Sequence, residues 1–192
     1  MSPDPVTLSP GGELRDDLPF RPVRIAVITV SDTRTLDTDT SGALLAKRLQ
    51  ADGHLLASRS VVKDDVGQIR QEVTRLVDGG DVDVVLTTGG TGLTGRDVTP
   101  EAIEPLLEKR IEGFSVIFHL VSYESVGLST LQSRALAGII RGVFVFCLPG
   151  SNGACKDGWD KIIRWQIDSR HMPCNMVELM PRLREHEAHD CA

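Results

Sequence analysis

The chain is 192 residues long, 41% hydrophobic and 25% charged, with a formal net charge of −6. That length fits one domain with a long arm left over. The acidic balance, without any run of basic residues interleaved with aromatics, excludes nucleic acid as a main partner.

Residues 1–22 carry five of the ten prolines, together with Gly11-Gly12 and Asp16-Asp17. They read as an extended arm, disordered or draped over a neighbour, and contain no apolar signal-peptide core. The domain proper is expected over 23–178, with a polar tail over 179–192. Residues 23–30 form a near-continuous apolar, β-branched run, predicted as a buried strand of a parallel sheet. Thr40-Ser41-Gly42 opens a helix with apolar spacing at Leu44, Leu45 and Leu49. A second strand is expected over 55–62. Val66, Ile69, Val73, Leu76 and Val77 recur at helical spacing, and Gly79-Gly80 ends that helix. Residues 82–86 read as a third strand.

Thr99-Pro100-Glu101 predicts a helix start, with Thr99 as the cap. Another helix is expected over 114–121. A turn at Arg141-Gly142 precedes a Val/Phe strand, and helical spacing resumes at Trp159, Ile162, Ile163 and Ile167. The two tryptophans, Trp159 and Trp165, read as core or interface packing. Strands alternating with helices predict a single-domain, three-layer α/β/α sandwich with a mainly parallel sheet. The longest apolar run, 143–148, is too short to span a bilayer, so no membrane contact is expected. Cys147, Cys155, Cys174 and Cys191 have no zinc-site spacing and read as reduced thiols of a cytoplasmic protein.

The most informative stretch is 87–100, TTGGTGLTGRDVTP, which joins the third strand to a helix. Its glycines and threonines can curl N–H groups and hydroxyls inward around phosphate oxygens. Asp97 lies inside that cradle. A carboxylate about 5 Å from a phosphate charge costs roughly 3 kcal/mol at an effective dielectric near 20, unless a divalent cation such as Mg²⁺ lies between them. The stretch also satisfies G-x-G-x-x-G. It nevertheless follows the third strand, its helix starts five residues after Gly95, and no acid-tipped strand follows, so the dinucleotide fingerprint is a poor fit.

Asp64 and Asp65 follow the second strand. In one reading the pair serves only to cap the next helix, through Asp65, or lies exposed to solvent; in the other, Asp64 reaches the sheet edge that presents Asp97. Ser31-Asp32 is either a turn or a ligand contact at that edge. The turn 149–153 could supply N–H groups to a second anion or be a plain turn, and Ser133-Arg134 could supply a cation or a surface charge. The histidines His186 and His189 lie in a charged tail and read as solvated.

These residues resemble the molybdenum cofactor biosynthesis protein B family, which is similar to molybdopterin adenylyltransferase and to the adenylyl-transferring domain of gephyrin. Residues 87–100 and 146–151 carry the resemblance most specifically. Support comes from Ser31-Asp32-Thr33-Arg34, Asp39-Thr40-Ser41-Gly42, Ser133-Arg134-Ala135 and residues 170–175. The resemblance implies a homotrimer or homohexamer in the cytoplasmic pathway to molybdenum cofactor, working with other proteins of that pathway. It implies transfer of AMP from Mg-ATP to the terminal phosphate of molybdopterin, with release of pyrophosphate. A second reading is a non-catalytic pterin-binding or scaffold protein of the same pathway. Asp64 and Asp97 match the paired functional aspartates, both catalytic and Mg²⁺-binding. The expected substrate contacts are Ser31, Asp32, Thr88, Gly89, Gly90, Thr91, Gly92, Ser133, Arg134, Pro149, Gly150 and Ser151. Part of the subunit contact is expected over 114–123.

Overall fold

The computed structural model describes residues 11–185. Strand β1 (Glu13–Leu14) pairs antiparallel with β8 (His171–Met172). The arm over these residues therefore runs along its own domain, and Phe20 packs its ring on His54. The tail call beyond 185, with His186 and His189, lies outside the described residues.

Strand β2 (Arg24–Val30) leads into α1 (Thr40–Ala51). Then come β3 (Leu55–Val62), α2 (Val66–Asp78) and β4 (Val84–Thr88). Asp65 caps α2 by accepting from the Gln68 N–H at 2.9 Å. The third strand starts two residues later than its apolar run suggested, because Thr87 and Thr88 continue the ladder opposite Cys147 and Leu148. Helix α3 (Thr99–Ile103) follows. Thr99 lies inside it rather than capping it, and its hydroxyl instead donates to the Gly89 carbonyl at 2.8 Å.

Next come β5 (Lys109–Arg110), α4 (Glu112–Val126) and a 3-10 segment, Gly127–Gln132. Strands β6 (Leu136–Ile140) and β7 (Val143–Leu148) are joined by Arg141 and Gly142, both at positive φ, the geometry of a two-residue hairpin. Helix α5 (Asn152–Gly158) passes through a π-helical turn (Trp159–Ile163) into α6 (Arg164–Gln166). Trp159 is fully buried there and donates its indole N–H to Asp52 at 2.8 Å.

The main sheet has the order β3-β2-β4-β7-β6-β5. β3, β2, β4 and β7 are parallel, and β6 is antiparallel to both its neighbours. Side chains alternate across the sheet. Ile25, Val27 and Leu86 face a core with Leu45, Phe118 and Trp159, whereas Ala26, Ile28 and Val85 face a second core with Ile69, Val73 and Ile103. Two cores on opposite faces make the molecule the expected three-layer sandwich. Helix α4 with its 3-10 extension (Glu112–Gln132) is long and apolar enough, by length and composition alone, to cross a membrane. Counting unbroken apolar runs missed it. Phe114, Phe118 and Val121 pack it on the sheet.

Register places the future site. Thr29 pairs with Thr88, Thr88 with Leu148, and Val30 with Val62. The carboxyl ends of four parallel strands thus finish level, and β2 and β4 flank the point where the connections diverge. Ligands in open α/β sheets bind outside the carboxyl ends of the strands at such a point.

Asp39 locks the first connection. Its buried carboxylate accepts from the Gly42 N–H at 2.9 Å, the Thr29 hydroxyl at 2.8 Å and Arg59 Nη2 at 2.9 Å. Burial alone would raise its pKa, but these donors outweigh it and hold the group below its ordinary 3.8. A depressed carboxylate contributes stability above its unfolded value, which is lost as pH falls through the lower folded value. Removing the cap and leaving Arg59 unpaired should cost about 2–4 kcal/mol in Asp39→Ala, read by urea unfolding at pH 7. The loss of stability below about pH 4 should be shallower in the variant than in the parent.

Candidate functional site

Gly89 and Gly90 adopt φ of +104° and +64°. A Cβ on Gly89 would stand 2.2 Å from the Val30 carbonyl oxygen, and one on Gly90 would stand 2.4 Å from Thr99 Oγ1. Only glycine fits both positions. The Gly89 N–H donates to Leu148 O at 3.0 Å, and the Thr99 N–H returns to Gly90 O at 2.9 Å. The loop is therefore pinned by its carbonyls. The N–H groups of Gly90 and Thr91 make no hydrogen bond among the described residues, so they are free to donate to an anion.

Arg134 braces the outer half of this loop. Its backbone N–H donates to Thr91 O at 2.9 Å, its Nε to Gly92 O at 2.8 Å and its Nη2 to Asp97 O at 2.7 Å. Nη1 forms an ion pair with Glu101. The guanidinium spends its donors on the loop itself.

Asp97 folds back on the loop. Thr94 donates to Oδ2 from its hydroxyl at 2.6 Å and from its N–H at 2.9 Å. The Thr94 hydroxyl chiefly lowers the pKa of Asp97, with backbone N–H groups of Thr94 and Gly92 and the Arg134 charge adding to it. Its carboxylate lies so close to Gly92 that a Cβ there would meet Oδ2 at 2.7 Å. Asp64 sits behind the same loop, its Oδ1 3.1 Å from where a Gly90 Cβ would be. Partial burial raises its pKa, and the charges of Asp32 and Asp97 push it the same way. Asp32 is held by Arg96 through an ion pair, with Nε at 3.0 Å from Oδ2.

Asp64 and Asp97 are thus ionisable carboxylates beside free backbone donors, and among the described residues no side-chain cation forms an ion pair with Asp64. Among the described residues no group of three or more His, Cys, Asp or Glu is placed to hold a metal ion. Two carboxylates are what Mg²⁺ asks of a protein when phosphate oxygens and water complete its shell. These residues fit a cation that arrives with a polyphosphate.

Most of the expected contact residues divide between two depressions, whereas Asp32, Asp64 and Arg134 line neither. A cleft of about 500 Å³ is lined by the Gly89–Gly92 loop, Asp97, Ser133 and the Pro149–Ser151 turn. A smaller pocket of about 150 Å³ holds Ser31 and Thr88, with Gly150 shared between the two. Ser31 Oγ accepts from the Thr33 and Arg34 N–H groups at 3.3 and 3.2 Å, so it shapes its turn. The Thr88 hydroxyl donates to Pro149 O at 3.1 Å. Ser151 caps α5 at Ala154 N.

Sequence reasoning missed the far wall of the cleft: Ser122, Ser125 and Thr130 around α4, and Asp157 on α5. Helical spacing from Gly153 and Ala154 to Asp157 was the available signal. Nothing local marked Ser122 or Thr130.

Residues 26–169 match the family model described as "Probable molybdopterin binding domain". Molybdenum cofactor biosynthesis protein B of Escherichia coli K12 is 46% identical over 156 residues, covering 81% of this chain and 92% of that protein. The protein of the same description from Bacillus cereus is 49% identical over 142 residues, covering 73% and 84%. A crystal structure of molybdenum cofactor biosynthesis protein B superposes with a TM-score of 0.78 at 42% identity, covering 86% of this chain and 98% of that one. By sequence and fold together, the chain belongs to the molybdenum cofactor biosynthesis protein B family, and its role lies in making that cofactor.

Proposed function

We propose that the cleft binds molybdopterin and that the glycine loop serves transfer of AMP from Mg-ATP to the pterin's terminal phosphate. The observation that carries this reading is the pair of free N–H groups, Gly90 and Thr91, set beside the two carboxylates of Asp64 and Asp97. The N–H groups would hold phosphate oxygens and stabilise charge growing on them. Mg²⁺, when bound with ATP, would spread negative charge over the α-phosphate and the leaving pyrophosphate. Asp97 would orient that cation from the loop, and Asp64 from the end of β3. Asp64, disfavoured as an anion by its surroundings, gains most from a cation. Arg134 would keep the loop in its donating shape. The protein is taken to act in the cytoplasm, as its free buried thiols Cys147 and Cys155 allow.

The chain also exposes an apolar face on α4 and its extension. Val116, Leu120, Tyr123, Leu128 and Leu131 are all about half exposed or more, with Leu128 and Leu131 at 71%. A face of that kind marks a contact surface, and we assign it to self-association as a trimer or hexamer.

With molybdopterin and Mg-ATP, the protein should release pyrophosphate. Asp97→Asn should lower that turnover by about 10²–10⁴-fold while pterin affinity stays within a few-fold. Equal loss of both would count against the mechanism. Silence of the parent, with pterin binding intact, would leave the non-catalytic pterin-binding reading. Multi-angle light scattering should give three or six protomers, and Leu128→Asp combined with Leu131→Asp should shift the protein toward monomer. A monomeric parent would refute the assembly.

A further inference from the structure

The cleft holds one charged side chain that the phosphate chemistry does not use. Asp157 on α5 is only 9% exposed yet lines the cleft. It has a single charge partner, Lys161 Nζ at 3.1 Å, and accepts no hydrogen bond among the described residues. A nearly buried carboxylate with lone pairs to spare is costly unless something donates to it. Thr130 is a second such group in the same wall. It is 6% exposed, and its Oγ1 has no partner among the described residues.

We propose that Asp157 reads the 2-amino-4-oxo-pyrimidine edge of a pterin ring, with Thr130 donating to its 4-oxo group. This rests on the reading that the cleft takes the pterin, and it adds where the ring lies. That edge offers two adjacent donors, N3–H and the 2-amino group, which match the two oxygens of one carboxylate. The corresponding edge of adenine offers a donor beside an acceptor and leaves one oxygen facing a lone pair. Lys161 supplies the charge that lets the carboxylate stand in an enclosed wall. Asp157 lies six residues along α5 from Ser151, roughly 9 Å along the axis at 1.5 Å per residue. Ring and phosphate can therefore be held at once, one by Asp157 and the other at the turn and loop.

Binding of the ring alone tests this, by fluorescence titration with 6-hydroxymethylpterin and its 2-oxo analogue 6-hydroxymethyllumazine, and by competition with adenosine. The parent should bind the pterin about tenfold or more tighter than the lumazine, since loss of a hydrogen bond to a charged group is worth that much. Asp157→Asn should weaken pterin binding by about 10–100-fold and erase the preference, with Mg-ATP affinity unchanged. A carboxylate serving only Lys161 would leave the preference intact. Thr130→Val should weaken pterin and lumazine alike, because both carry the 4-oxo group, while raising Tm by removing an unpartnered hydroxyl. A parent without the preference, or an Asp157→Asn variant that keeps it, overturns the proposal even if the fold is unharmed. So does tighter binding of adenosine than of the pterin. Absence of pyrophosphate release with the preference intact would sink adenylyl transfer and leave this assignment standing.

Discussion

Backbone packs directly on backbone where β2, β4 and β7 end. The Val30 carbonyl oxygen stands so close to Gly89 that no Cβ can be placed between them, and a Cβ on Gly150 would press on Gly89 Cα at 3.2 Å. This contact exists because the strand register brings Val30, Thr88 and Leu148 to one level. It fixes the glycine loop against the sheet, and every other part of the site is hung on that loop. Thr99 ties it from α3, Arg134 from two residues before β6, and Thr94 folds Asp97 back onto it. Its positive φ angles direct carbonyls toward these braces and leave the Gly90 and Thr91 N–H groups for a ligand.

The electrostatics follow from that geometry. Asp32, Asp64 and Asp97 gather around one loop, but they are not equivalent. Asp32 is neutralised by Arg96, and Asp97 is stabilised by the Thr94 hydroxyl and backbone N–H groups. Asp64 has the Asp32 backbone N–H and the Arg96 charge in its favour, but burial and the charges of Asp32 and Asp97 outweigh them and hold it against its own ionisation. An arrangement with one satisfied and one unsatisfied carboxylate suits a cation brought in by its ligand. A permanently held metal would call for more protein donors than are present here. Arg96 and Arg134, at the loop, are already paired, which leaves backbone amides there as the donors without a partner.

The helices divide the labour. The α2 and α3 layer seals the far face of the sheet with Ile69, Val73, Ala102 and Ile103. The α1, α4 and α5 layer seals the near face, and the 3-10 extension of α4 joins α5 in walling the cleft. Helix α4 therefore has three surfaces to satisfy. Phe114 and Phe118 face the core, Ser122 faces the cleft, and Leu120 and Tyr123 face outward. This explains why its apolar content is high without a single apolar stripe.

Much of this was written locally. The β-branched runs before Ser31 and Pro149 announced buried parallel strands, Asp65 its helix, and the Gly/Thr stretch with Asp97 a tightly curled loop, because strands, caps and tight turns are specified by neighbours in sequence. Residues whose role depends on distant partners were not legible. Thr87 and Thr88 looked like loop until β7 was placed beside them. Thr99 looked like a cap until the Gly89 carbonyl was placed over it. Arg134 lies 42 residues from Gly92, and nothing in its flanks shows that its fork spans two loop carbonyls, those of Gly92 and Asp97. Asp157 and Thr130 met in one wall only when α4 and α5 packed. The sequence by itself determined the elements, the acids that gather at the loop and the glycine-rich turn. The tertiary structure decided which polar groups were consumed by the fold and which were left for a ligand, since hydrogen-bond satisfaction is a property of the packed whole.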